Sequence, residues 1–194
     1  MIKKILILLL IGGGIYYYWT TRPITHGPGV VAPDEPVQET VFNTKDLNIG
    51  DIEIDAKASI NMEARVLAMT QYDDKYSDLT TTDIVFGWGP MSNERHLDKV
   101  MVRQSERSYH WDMGRPPIKP EKMWGYAENM HIIAPTKKIR DKIKTLRIGH
   151  IVEIDGYLVN AKFPGGWNLK SSLKRGDQGE KASELVWIKS LTIL

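Results

Sequence analysis

The chain contains no cysteine. That excludes disulfides, thiol catalysis, iron–sulfur clusters, cysteine-ligated zinc and a lipid-anchored cysteine at the N-terminus. It also lacks a dominant charge. Its 26 basic residues stand against 24 acidic ones, for a net charge of +2, so no whole-chain electrostatic argument for nucleic acid holds. The 5 histidines, His26, His96, His110, His131 and His150, never fall in an HxH, HxxxH or HExxH spacing, so no local metal signature is present. There is no internal repeat and only one long apolar run.

That run is at the N-terminus. Lys3 and Lys4 precede an apolar stretch, Gly12 to Gly14, Ile15 and an aromatic cluster, Tyr16 to Trp19. A membrane span needs about 20 apolar residues, and residues 5–21 come close. Basic residues ahead of the run orient its start toward the cytoplasm, and a Tyr/Trp cluster suits the bilayer interface. The rival reading is a signal peptide, but no small-x-small cleavage site follows. Residues 1–21 are therefore expected to be an uncleaved membrane anchor.

Residues 22–40 begin RPITHGPGVVAPDEP, too rich in proline and glycine for helix or central strand. They are expected to form a semi-rigid tether, or else an ordered arm along the domain. Residues 41–194 form the domain. Alternation of apolar and polar residues predicts strands over 60–72, 83–88, 100–111, 130–134, 150–161, 167–173 and 184–194. Residues 113–129, with Gly114, Pro116, Pro117 and Pro120, read as a long loop.

One helix interrupts the strands. Thr136 offers a cap, Ile139, Ile143 and Leu146 share a face, and Gly149 ends the helix. Gly156 lies inside the following strand, as happens where a barrel strand bends. A single helix between the third and fourth long strands predicts a mainly β domain of the OB-like barrel type. A mixed-sheet α+β domain is the alternative.

Chemistry-bearing motifs are few. Ser171-Ser172-Leu173-Lys174 matches S-x-x-K, but on a strand Ser171 and Lys174 point to opposite faces. Arg175-Gly176-Asp177 reads as a turn. Lys137, Lys138, Arg140, Lys142, Lys144 and Arg147 oppose only Asp141, which makes the helix a solvated face or a contact for anionic headgroups or nucleic acid. His110 and His131 sit on predicted strands near Trp111 and Asn129, where a strand pair would bring them together with Asp98 or Asp112 as a shared metal or acid–base site, or else they are hydrogen-bonded in or beside the core. Trp88, Trp111 and Trp124, with His131 and Arg175 as polar contacts, are the candidates for a surface aromatic groove. The candidate binding residues are thus Trp88, His110, Trp111, Trp124, Asn129, His131 and Arg175. No catalytic residue, metal ligand or cofactor is assigned.

Several strings resemble a family of exported or membrane-anchored bacterial proteins that has no assigned activity. They are RPITHGPGVVAPDEPVQ (22–38), EARVLAMTQY (63–72), DIVFGWGPMSN (83–93), QSERSYHW (104–111), ENMHIIA (128–134), GHIVEIDGYLV (149–159), GGWNLKSSLKRGDQG (165–179) and ELVW (184–187). The resemblance implies a bacterial, membrane-associated setting and transfers no site residue. The expectation is an inner-membrane protein with its N-terminus in the cytoplasm and its domain in the periplasm, binding another envelope protein. An envelope hydrolase using His110 and His131, and a nucleic-acid-binding OB-like domain, are the alternatives.

Overall fold

The computed structural model describes residues 2–42, 47–177, 182 and 184–194. Helix α1 (Ile2–Thr21) runs 20 residues, is long and apolar enough to cross a membrane, and buries none of its side chains against the domain. Strands follow: β1 (Val37–Thr40), β2 (Leu47–Ile49), β3 (Ile52–Gln71) and β4 (Thr82–Gly87). An insertion then carries α2 (Glu94–Leu97), the hairpin β5 (Met101–Ser105) and β6 (Ser108–Asp112), and α3 (Pro120–Gly125). The chain resumes with β7 (Ala127–Ile133), α4 (Lys137–Ile143), β8 (Ile151–Lys162), β9 (Asn168–Lys170) and β10 (Glu184–Ile193). The domain is mainly β, with few and short helices.

The pairings run in a closed circuit. β3 pairs β4, β4 pairs β7, β7 pairs β10, β10 pairs β8, and β8 returns to β3. All are antiparallel except β7–β10, which is parallel. Inward residues of these strands form the main core, among them Ile60, Met62, Phe86, Met130, Ile154, Leu158 and Ile188. Helix α4 contributes Ile139 and Ile143 to it, and Leu146 follows just beyond. Thr136 caps α4, its hydroxyl accepting the Ile139 amide at 3.3 Å.

β3 is one 20-residue strand, although the sequence offers it in pieces. A bulge between Ala56 and Ala58 explains why. The extra residue, Lys57, moves the even-numbered side chains from one face of the sheet to the other. Ala58 to Val66 enter the main core, whereas Ile52, Ile54 and Ala56 join a second cluster with Val159, Phe163 and Trp187. In β8, Gly156 faces Ile60 and Ile188, and an added Cβ there would collide with the Trp187 backbone. The close approach of two backbones is what requires the glycine.

The predicted strand 100–111 is instead a hairpin. Glu106 and Arg107 both have positive φ, 51° and 63°, the signature of a primed two-residue turn. Neither residue advertises such a turn, so the sequence reads as one strand. Residues 113–129 are not all loop, since α3 lies within them. The predicted strand 167–173 is regular only over Asn168–Lys170. The polar loop expected over 175–180 lies outside the described residues beyond Asp177.

The Pro/Gly-rich segment lies along the domain, as the arm rather than as a free tether. Ile24 N donates to Ile148 O at 2.8 Å, and His26 Nε2 is 2.7 Å from Gly149 O. Val31 and Ala32 donate to Ser92 Oγ, Gly89 N donates to Ala32 O, and Ala32 is fully buried. A buried pair, Arg65 Nη2 with Glu94 Oε2 at 2.8 Å, organises the joint, and Glu94 also accepts the His26 amide. Gly149, at φ 92°, is required because an added Cβ would run into the Ile24 carbonyl. The polar backbone of a chain without regular structure has to be satisfied somewhere, and here the domain satisfies it.

Candidate functional site

β7 is buried at every position, although its sequence, Ala-Glu-Asn-Met-His-Ile-Ile, is far from apolar throughout. Its inward face presents Glu128, Met130 and Ile132, and its outward face presents Asn129 and His131. Each face carries a polar cluster.

At the inward end, Glu128 meets Glu184, the first residue of β10, whose backbone pairs with Met130 in parallel register. Trp88 closes this end and is 0% exposed, and Glu184 is 1% exposed. The loop 171–177 covers the pair. Gly176 N donates to Glu128 Oε1 at 2.7 Å. Arg175 Nη1 is 3.7 Å from Glu128 Oε2, its guanidinium lies 5.6 Å from the Trp88 ring centre, and its Nη2 donates to Pro36 O at 2.8 Å. Ser172 Oγ donates to Asp177 Oδ2 at 2.7 Å, which folds the loop on itself. Burial, then the neighbouring Glu128 carboxyl, push the Glu184 carboxyl well above its usual range, against the opposing pull of Arg175. Both Glu184 oxygens, Glu128 Oε2, Arg175 Nη1 and Trp88 Nε1 are buried without a well-formed hydrogen bond among the described residues.

At the outward face the β5–β6 hairpin lies across β4 and β7. Gln104 donates to Asn129 Oδ1 at 2.7 Å and accepts from Thr70 at 3.0 Å, and Asn129 donates to Arg107 O. Tyr109 OH donates to Ala127 O at 2.9 Å, and burial followed by Glu128 and Glu184 pushes its phenol strongly up. The hairpin tip plugs in through Arg107. Its guanidinium donates to both oxygens of Asp74 at 2.9 Å, to Asp83 Oδ1 at 2.8 Å and to Thr80 O at 2.8 Å, and lies 4.5 Å from the Tyr72 ring. The hydrogen bond from Arg107 is the main reason that Asp74 is lowered from 3.8 to about 2. His131 Nδ1 is 2.9 Å from Asp83 Oδ1 but poorly aligned with it, and Asp83 Oδ2 has no partner among the described residues.

The sequence-predicted residues thus fall into separate surroundings. Trp88 and Arg175 come together at the acid pair. Trp111 and Trp124 pack with Tyr109 in a ring cluster, with centroids 5.2 to 5.9 Å apart. Trp88 takes no part in a surface groove, because alternation along β4 continues past Phe86 and carries it into the main core. Asn129 and His131 lie beneath the hairpin. His110 is on its exposed face, where alternation in β6 puts it opposite Tyr109 and Trp111. Among the described residues, no group of three or more His, Asp or Glu side chains is placed to hold a metal ion.

Glu128, Glu184, Asp83 and Arg107 escaped the sequence reading. A signal existed for three of them: Asp83, Glu128 and Glu184 each stand in a strand otherwise destined for the interior, and an acid there needs a partner. The arrangement is a pair of polar locks, each fastening an inserted segment to β7. Open surface exists elsewhere. A groove of about 770 Å³ lies between β2 and β9, lined by Asn48, Glu53, Asp55, Asn160, Lys162 and Asn168 among others. A cavity of about 480 Å³ lies between α4 and the 72–82 turn. Comparison with family models, with curated proteins and with solved structures finds no match to this chain.

Proposed function

We propose that this chain is a single-pass protein of the bacterial inner membrane whose periplasmic domain is an OB-type barrel acting as a binding or assembly module for another envelope protein. The observation that carries it is the pairing of a helix that buries nothing with a domain that grips the segment just after it. A helix of that length and composition is suited to crossing a bilayer. The Lys3 and Lys4 side of the helix then faces the cytoplasm.

The closed strand circuit, its one parallel pair and the helix between β7 and β8 support the OB-type topology. In such domains the face of the second and third strands takes ligands. Those strands correspond to β4 and β7, and here the β5–β6 hairpin covers that face. A covered face disfavours the nucleic-acid reading, and the burial of Asp83, Glu128 and Glu184 disfavours hydrolysis. Assembly through an open surface is what remains, and the groove between β2 and β9 offers both charge signs and amide groups for it.

A topology reporter fused after Leu194 should be active only in its periplasmic form. A photo-crosslinking residue at Asn168 should give one discrete adduct in intact envelopes, and the same residue at His110 should give none. A cytoplasmic C-terminus, or recovery of the monomer alone from both positions, would overturn the proposal.

A further inference from the structure

The joint between α1 and the domain fixes which side of the domain meets the bilayer. Only Arg22 and Pro23 separate the helix from Ile24, which is hydrogen-bonded to Ile148. A fully extended chain covers about 3.3–3.6 Å per residue, so Ile24 lies within roughly 10 Å of the end of the span and Ile148 one hydrogen bond farther. The headgroup layer on each side, half the difference between a core about 30 Å thick and a whole bilayer of about 40–45 Å, is about 5–8 Å deep, so the joint lies at or just beyond its outer edge. Two further contacts hold the geometry: Arg147 Nη1 donates to Trp19 O at 2.9 Å, and the Arg22 guanidinium lies 3.8 Å from the Trp19 ring centre. Ile148 itself is 44% exposed beside this joint.

The segment arriving at the joint is α4. Its apolar side, Ile139 and Ile143, is in the core. Its outer side carries Lys137, Lys138, Arg140, Lys142 and Lys144, and Arg147 follows. Asp141 is the only acid among them, engaged by Lys137 and Lys144. Lys137, Lys138, Arg140 and Lys144 are exposed, and among the described residues Lys138, Arg140, Lys142 and Arg147 pair with no carboxylate.

We infer that the outer face of α4 and the 144–148 turn form a docking surface for the anionic headgroups of the membrane that α1 spans. This rests on α1 being a membrane span and deepens that reading by giving the domain a fixed orientation. Cations held within a Debye length of an anionic surface are attracted to it, and the short joint holds the turn there. Ile148 adds an apolar contact at the interface.

The absence of native cysteine allows a clean test. A fluorophore is attached at Thr145→Cys in the full chain, reconstituted into vesicles of pure phosphatidylcholine or of phosphatidylcholine with phosphatidylglycerol. A second label at Lys170→Cys, on β9, serves as control. Quenching by neutral acrylamide should fall at least twofold at position 145 in the anionic vesicles and stay unchanged at 170. The protection should disappear in K138E/K144E and in high salt, and D141N should retain it to higher salt. The melting temperature of each variant separates lost docking from lost folding, and the salt arm tests the proposal without any charge substitution. If the chain floats with the vesicles but position 145 is quenched equally in both lipids, the docking inference is wrong. If the chain does not float with vesicles, the membrane-span reading fails first. Protection that appears only with an added single-stranded oligonucleotide in phosphatidylcholine would reassign the surface to nucleic acid and overturn the inference.

Discussion

Arg107 is the residue on which most of the outward network depends. It occupies a left-handed conformation that a non-glycine side chain adopts at a cost, and it holds two carboxylates, one of them in Asp83, which is 0% exposed. Removing one partner of a buried pair leaves the other charge uncompensated, at a typical cost of about 3–5 kcal/mol. Arg107→Ala should lose stability on that scale in urea denaturation, whereas Arg103→Ala, whose ion pair with Asp112 is exposed, should change it by less than about 1 kcal/mol. Acid should weaken the same anchor. The Asp74 carboxyl is depressed from 3.8 to about 2, so its contribution is complete above pH 4 and is lost as pH falls toward 2. That acid limb should vanish in Asp74→Asn.

Glu184 behaves in the opposite sense. Its carboxyl is raised above the usual value by burial and by Glu128, so the folded state holds a proton that the unfolded chain releases. Stability therefore declines as pH rises above the ordinary glutamate range and continues to decline until the folded carboxyl ionises. Glu184→Gln keeps the shape and removes the titration. Thermal melts at pH 8 should show the variant more stable by about 2–4 °C, the shift expected of roughly 1 kcal/mol in a chain of this size. At pH 5 the two proteins should melt together. A variant that is less stable at both pH values would mean that the amide cannot replace the acid as partner of Glu128.

At the scale of elements, the sequence made the long strands and α4 legible because their apolar residues recur with a clear period. Val152, Ile154 and Leu158 alternate inward in β8, and Ile139, Ile143 and Leu146 share one side, as the spacing predicts. What stayed hidden depends on single residues acting against pattern. Lys57 flips a face, Glu106 and Arg107 make a turn without glycine or asparagine, and residues 22–36 bond to a surface that exists only once the domain has folded. The site was half legible for the same reason. Aromatic and histidine positions attract notice, whereas Glu128, Glu184 and Arg107 gain meaning only from their neighbours in space. The arm makes its own prediction. Gly149→Ala drives a Cβ into the Ile24 carbonyl and should free residues 22–36 from the domain. Limited proteolysis within that segment should then quicken several-fold, while the fluorescence of the buried Trp88 environment stays native.

At the scale of the whole molecule, only Arg22 and Pro23 lie between α1 and the hydrogen bond of Ile24 to the domain. On the proposal that α1 spans a membrane, so short a connector leaves the domain little freedom to swing, and its surfaces would keep nearly fixed heights above the bilayer. The groove between β2 and β9 and the exposed face of the β5–β6 hairpin can each address only what comes to their own level. Lengthening the connector should therefore alter partner capture without altering stability. Four glycine and serine residues inserted between Arg22 and Pro23 should leave the melting temperature within about 1 °C, as surface insertions generally do, while the crosslink from Asn168 weakens.

The strand circuit has a consequence for folding. Among the described strands, β10, which joins β7 to β8, comes last in chain order. The edges of β7 and β8 that it closes lie more than fifty and twenty residues before it. Closing such distant contacts is slow. Ring closure by β10 is therefore expected to be a late step of folding, after β3, β4, β7 and β8 have found their own pairings.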